Sequence, residues 1–151
     1  MARVRAVVAG VLAACSPAQP HTPLPQADQV QAHRLQWNAA HIRSYAFTYR
    51  DRCFCPGSFV WVRITVNEGK VTQAELTDTT SYGFRRTSEF RRPTIDSLFS
   101  WIADAHDRKA DRIEVRYDSK FHFPTYAAID WRLNMIDDEF GFEARDFTTR
   151  K

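Results

Sequence analysis

Cys53 and Cys55, separated only by Phe54, are the pair of residues whose type and spacing offer the most definite chemistry. Three uses of such a pair differ in what else they need. Redox chemistry needs a lowered thiol pKa, usually supplied by a helix N-terminus, whereas a Cys-x-Cys at a strand end has only Arg50 and Arg52 as neighbouring cations. A zinc or copper site needs further ligands, and His41, the nearest histidine, is separated from Cys53 by a strand-like segment. A structural bridge needs the chain to bend, because alternate residues of a regular strand hold their Cβ atoms too far apart for the roughly 3.8 Å a disulfide prefers. Phe54-Cys55-Pro56-Gly57 supplies residues for that bend. With neither fuller constellation complete, the bridge is favoured, and redox and metal roles stay open behind it. So small a ring gains only about 1.6 kcal/mol of loop entropy, so it would brace a turn rather than hold the fold.

The other titratable groups form no recognised catalytic set. Asp51, Asp130 and His106 offer general-base chemistry, but no serine or cysteine stands beside them in a nucleophile motif. Among five glycines there is no phosphate-cradling loop. No enzymatic activity and no cofactor are therefore expected. Asp137-Asp138-Glu139 lacks the alternating ligands and central glycine of a calcium loop and reads as a solvated turn. Arg85, Arg86, Arg91 and Arg92 place four cations within eight residues, a group able to meet anionic lipid headgroups but more simply read as a charged loop.

Periodicity supplies the elements that must carry these groups. From Asp28, a capping residue, to about Ile42 a run free of glycine and proline, with Val30, Leu35 and Trp37, predicts a helix. Tyr45, Phe47 and Tyr49 alternate as a strand. Val60, Val62, Ile64 and Val66 predict the next, turned by Asn67-Glu68-Gly69 into a partner from Lys70 to about Thr77. Residues 78–92 are polar and read as a loop. Thr94 caps a second helix whose Ile95, Leu98, Phe99 and Ile102 fall at i, i+3, i+4 and i+7. Ile113 to Tyr117, Tyr126 to Leu133 and Phe140 to Phe147 predict three more strands. The fold class is α+β, in the order αβββαβββ, with an antiparallel sheet covered by helices on one face. Trp37 and Trp101, Tyr49 and Tyr117, and Val66 and Trp131 recur at nearly one interval, as an internal duplication would require and as chance alignment of aromatics also allows. Trp61 and Trp131 are expected on the uncovered face, where exposed aromatics would mark a recognition surface.

Cys53-Phe54-Cys55-Pro56, Pro93-Thr94-Ile95-Asp96-x-Leu98-Phe99, Tyr117-Asp118 with Pro124, Ile129-Asp130 and Asp137-Asp138-Glu139 occur here in that order. From about Gln36 to Phe147 this series resembles an uncharacterised family of bacterial secreted proteins and lipoproteins, a domain of unknown function with a Cys-x-Cys-Pro motif. Where that pattern has Gly-Tyr-Pro after Tyr-Asp, this chain has Phe121-His122-Phe123-Pro124. The resemblance implies an envelope location and supplies no activity.

Residues 1–14 carry Arg3 and Arg5, a short apolar run and small residues before Cys15, as a signal peptide does. The apolar run, about eight residues, is far below the roughly 20 that span a bilayer. Leu12-Ala13-Ala14-Cys15 is similar to a lipobox, which makes Cys15 the expected lipidated N-terminus and leaves Cys53 and Cys55 as the remaining thiols of an oxidising compartment. Ser16 after Cys15 leans toward an outer membrane, facing the periplasm, in a two-membrane source. Residues 15–27 hold the lipid site and a proline-rich tether, and 28–151 one domain. Without the two leader arginines, 19 Lys and Arg face 18 Asp and Glu, from 21 and 18 in the full chain. That balance gives no bulk-charge case for nucleic acid. The expected role is a membrane-anchored, non-enzymatic binding or assembly module for an envelope protein or ligand. The alternative is a thiol-redox or metal-handling accessory that uses Cys53 and Cys55.

Overall fold

The computed structural model describes residues 26–55, 58, 60–77 and 90–150. The expected signal segment, Cys15, Arg85 and Arg86 lie outside the described residues, as do Pro56 and Gly57.

Alternation assigns the two faces of the sheet. In β1 (Tyr45–Cys53), Tyr45, Phe47, Tyr49 and Asp51 fall on one side, with Thr48, Arg50 and Arg52 on the other. β2 (Val62–Asn67) pairs antiparallel with β1, setting Val66, Ile64 and Val62 opposite Tyr45, Phe47 and Tyr49. Glu68 and Gly69, at φ 47° and 76°, form the two-residue turn into β3 (Lys70–Leu76). The same alternation continues through β4 (Arg112–Tyr117), β5 (Pro124–Asp130) and β6 (Phe140–Thr149). All pairs are antiparallel, in the order β3-β2-β1-β6-β5-β4. The first and last strands therefore meet at the centre. A bulge in β6 beside Asp146, at φ 53°, shifts the register there and keeps Phe147 on the apolar side.

Both helices cover that apolar side. α1 (Gln26–Ala39) sends Trp37 edge-on to Tyr45 and Phe147, with centroids 5.5 and 5.8 Å away. α2 (Ile95–Asp107) starts with a capping box between Thr94 and Ser97, and the Tyr45 hydroxyl accepts a 2.9 Å hydrogen bond from the buried Ile95 N–H. Ile95, Leu98, Phe99 and Ile102 are all fully buried, as their spacing predicts.

Several boundaries differ from expectation, by two residues where β2 starts at Val62, β5 starts at Pro124 and β6 ends at Thr149. α1 begins two residues before Asp28, which sits in the first turn where an acidic side chain favours the helix dipole, and it ends at Ala39. Only Val30 and Trp37, seven positions apart, are buried in α1, so Leu35 lies off their stripe and stays exposed. β5 stops at Asp130 rather than Leu133: Arg108 stacks on the Trp131 ring, and the Leu133 N–H donates to the Asp111 carboxylate instead of a neighbouring strand. In the divergent Phe121-His122-Phe123 segment, the Asp118 carboxylate accepts from the Lys120 and Phe121 N–H groups and forms the turn itself.

The repeated element order is not a repeat in space. Three antiparallel steps separate β1 from β4, so the two strands run in opposite directions. Laying the first αβββ on the second requires a half-turn about an axis in the sheet, which would carry its helix to the opposite face. Both helices occupy one face, so the expected duplication gives no pair of superposable halves.

Candidate functional site

The face without helices carries Arg50, Arg52, Arg63, Arg112, Arg116 and Arg145 against Glu75, Glu114, Asp130 and Glu143. Interleaved aromatics order four of these cations, Arg50, Arg52, Arg116 and Arg145, into one array across β1, β6, β5 and β4. Trp61 leads into β2, and the guanidinium groups of Arg145 and Arg50 lie 3.7 and 4.4 Å from its ring centroid. Arg50 also holds Glu143 Oε2 at 2.8 Å, while Arg52 binds Glu143 Oε1 at 2.5 Å. Arg52 and Arg116 then stand 5.4 and 4.6 Å from the Tyr126 centroid, and Arg116 pairs with Glu114 at 2.9 Å.

Glu143 is the hinge of this array. Burial alone would raise its carboxyl, but hydrogen bonds and charge from Arg50 and Arg52 outweigh that and hold it below the usual carboxylate range. A guanidinium stacked on an aromatic ring keeps its edge N–H groups for in-plane partners; Arg145 uses Nε on Asp146 at 3.3 Å and Arg116 one terminal nitrogen on Glu114, and both stay accessible, at 55% and 67%. The array is a set of pre-oriented, partly desolvated donors suited to phosphate or carboxylate oxygens.

Beside it, a groove of about 520 Å³ opens between the ends of β1, β6, β5 and β4. Its floor is Gly141 and Ala128, and its walls include Arg52, Tyr126, Asp130 and Phe54. Gly141 is required by close approach: a Cβ there would stand 2.6 Å from the Ala127 carbonyl oxygen. Cys53 borders the groove where β1 ends in a bend, and Cys55 follows with its Cα 5.2 Å from that of Cys53 and the two sulfurs within bonding distance.

A model of the family of unknown function DUF6174 matches residues 29–149. The chain belongs to that family. The DUF6174 match includes both helices except the first turn of α1, and all six strands, so the array and the groove lie within it. No curated protein and no solved structure matches the chain.

The expected site residues separate in space. Trp61 stands on the uncovered face within the array. Trp131 instead packs at the C-terminal end of α2 under Arg108, 4.2 Å from its ring. Arg91 lies on the helix side, over Phe140 at 4.7 Å and 3.6 Å from the buried Asp51 carboxylate. Asp51 also accepts the Tyr49 hydroxyl at 2.6 Å. Burial pushes its pKa up against the opposing pull of Tyr49 and Arg91, and burial also raises Tyr49. This trio ties the segment before α2 to the core rather than exposing a base to substrate. Arg92 is exposed next to it. Among the described residues no three His, Cys, Asp or Glu side chains gather as metal ligands would.

The sequence alone assigned no binding role to Arg145, Glu143 or Tyr126, and named Arg50 and Arg52 only as cations beside the thiols. A signal for two of the five was present: in β1 the residues that alternate with Tyr45, Phe47 and Tyr49 are Ala46, Thr48 and Arg50, so the face opposite the core carries Arg50 and, two positions on, Arg52. The pairing of β1 with β6, some ninety residues later, has no local signature and decides which charges meet.

Proposed function

We propose that the chain is an exported envelope protein, lipidated at Cys15, which works as a non-enzymatic binding module and recognises phosphate- or carboxylate-bearing ligands on its uncovered sheet face. The observation that carries this reading is the array itself. Arginines clasping Trp61 and Tyr126 on an otherwise free face are held in fixed orientations before any ligand arrives, which lowers the ordering cost of binding. The lipobox-like residues 12–15 and the proline-rich tether support attachment to a membrane.

Two probes separate sources of the same chemistry: dihexanoyl phosphatidylglycerol for a lipid headgroup and inorganic polyphosphate for a free anion. Amide shifts along β1, β2 and β6 should follow salt-sensitive binding of one of them, and Arg145→Ala should weaken it several-fold. No shift on that face with either probe would refute the ligand assignment. In the native host, Cys15→Ala should move the protein out of the detergent phase, and an unlipidated Cys15 in wild-type protein would end the anchor reading. The thiol alternative keeps one supporting observation, the position of Cys53 at the groove edge with Cys55 beside it, and metal retention or a high reduction potential would favour it.

A further inference from the structure

Large apolar side chains are exposed at five described positions, and four of them, Phe54, Leu133, Met135 and Ile136, sit at one end of the sheet. Phe54 tips the bend after β1, and the other three belong to the loop between β5 and β6. The pairing of Cys53 with Phe140 brings the bend and the loop to the same strand ends. Phe54 and Ile136 are each 88% exposed, a level at which a large apolar side chain gains nothing from the fold that holds it. This end lies away from α1, whose Trp37 and His33 pack over Tyr45 and Tyr117 at the opposite strand ends.

The loop that carries three of these side chains is acidic, while Arg52 and Arg112 line the groove beside Phe54. Residues 131–139 contain one cation, Arg132, against Asp137, Asp138 and Glu139. Asp130 Oδ1 and Asp138 Oδ1 are both shielded from solvent and accept no hydrogen bond among the described residues. Two carboxylate oxygens without donors thus lie on the same strand end and loop as the exposed apolar side chains. We infer that this end of the domain docks a segment of a partner protein that presents lysine or arginine flanked by large apolar side chains. An anionic bilayer surface would be repelled by the three carboxylates of the loop, and two copies meeting through this same patch would oppose like charges. A basic, apolar segment satisfies both the exposed anchors and the acceptors, with specificity coming from charge and affinity from Phe54 and Ile136.

The test uses the full chain and a labelled amphipathic peptide of leucine and lysine, with its leucine–glutamate counterpart as the charge control. Binding of the lysine peptide should shift amides at residues 53–55 and 131–139 and weaken with added salt. Phe54→Ser with Ile136→Ser should lower affinity about tenfold or more, as truncation of anchor side chains does. Asp138→Asn should lower it by a smaller factor. Both apolar substitutions lie at solvent-exposed positions, so thermal unfolding should be unchanged, and Trp61→Ala should leave the peptide affinity intact. The inference is overturned if the lysine peptide does not bind, if the glutamate peptide binds as well, or if the serine variant keeps full affinity. It is equally overturned if this patch instead binds phosphatidylglycerol vesicles, or drives concentration-dependent self-association, in place of the peptide.

Discussion

Gly141→Ala tests the geometry on which the groove and the array both depend. A Cβ at position 141 would lie 2.6 Å from the Ala127 carbonyl oxygen, 3.4 Å from the Arg52 Cβ and 3.5 Å from the Ala128 Cα. The closest of these is backbone and cannot rotate away. Position 141 pairs with Arg52 of β1 on one side and Ala128 of β5 on the other, so relief requires β5 to move against β6. Overpacking of this kind costs about 1–3 kcal/mol. Replacing glycine also lowers the entropy of the unfolded chain, which by itself would stabilise by about 0.4–1 kcal/mol. The net expectation is a loss of about 1–2 kcal/mol. In a urea titration with a slope of about 2 kcal/mol/M, that lowers the midpoint by roughly 0.5–1 M with the slope unchanged. The sign decides the matter: a variant as stable as the parent, or more so, would mean that β5 and β6 do not approach as described.

Further outcomes bear on the core, the thiols and pH. Phe99→Ala should cost about 3–5 kcal/mol through lost burial and a residual cavity, and Asp104→Ala, which loses only an exposed pair with Arg108, less than about 0.5 kcal/mol; equal losses in urea would put α2 in the wrong register. Cys53→Ala with Cys55→Ala should cost about 1–2 kcal/mol and leave near-UV dichroism native, whereas global unfolding would give the pair a larger role. His33 lies flat against Tyr117, with centroids 3.8 Å apart, and burial followed by the nearby His122 lowers its pKa from 6.5. The unfolded imidazole therefore binds its proton more tightly, so the stability His33 contributes is complete above pH 6.5 and is lost as pH falls through its lower folded value. The urea midpoint should drop between pH 7.5 and 5, and His33→Gln should shrink that drop; Asp51, raised by burial, opposes it at the acid end in both proteins. An unchanged drop in His33→Gln would refute the assignment.

Local periodicity made much of this architecture readable. The valine stripe of β2, the turn at Glu68-Gly69 and the capped stripe of α2 each state their own conformation within a dozen residues, and each forms as expected. α1 was less legible because two buried anchors, Val30 and Trp37, hold it, so Leu35 carried a misleading apolar signal. Trp131 misled for another reason: the alternation of β5, with Ala127 and Ile129 buried, sets position 131 on the helix side, where Arg108 stacks on its ring, and not on the uncovered face. The array was hidden because it is a property of strand neighbours. Arg50 and Glu143 meet only when the last strand lies beside the first, and that arrangement depends on which pairing buries Phe142 and Ala144 under the helices.

That central pairing also sets the order in which the chain can become native. β1, β2 and β3 form a meander from contacts close in sequence, and β4, β5 and β6 form another, but the junction between them joins residues about ninety apart. Loop-closure entropy must be overcome before this junction contributes anything, which slows its formation relative to the hairpins. A chain emerging N-terminus first has no central strand pair until residues 140–149 arrive. Until then β1 is an unpaired edge rich in tyrosine and phenylalanine, the kind of strand most prone to wrong partners. Without β6 a three-stranded β1-β2-β3 sheet and a two-stranded β4-β5 hairpin would remain with no strand joining them, so the arrival of β6 is the step that commits the chain to its fold.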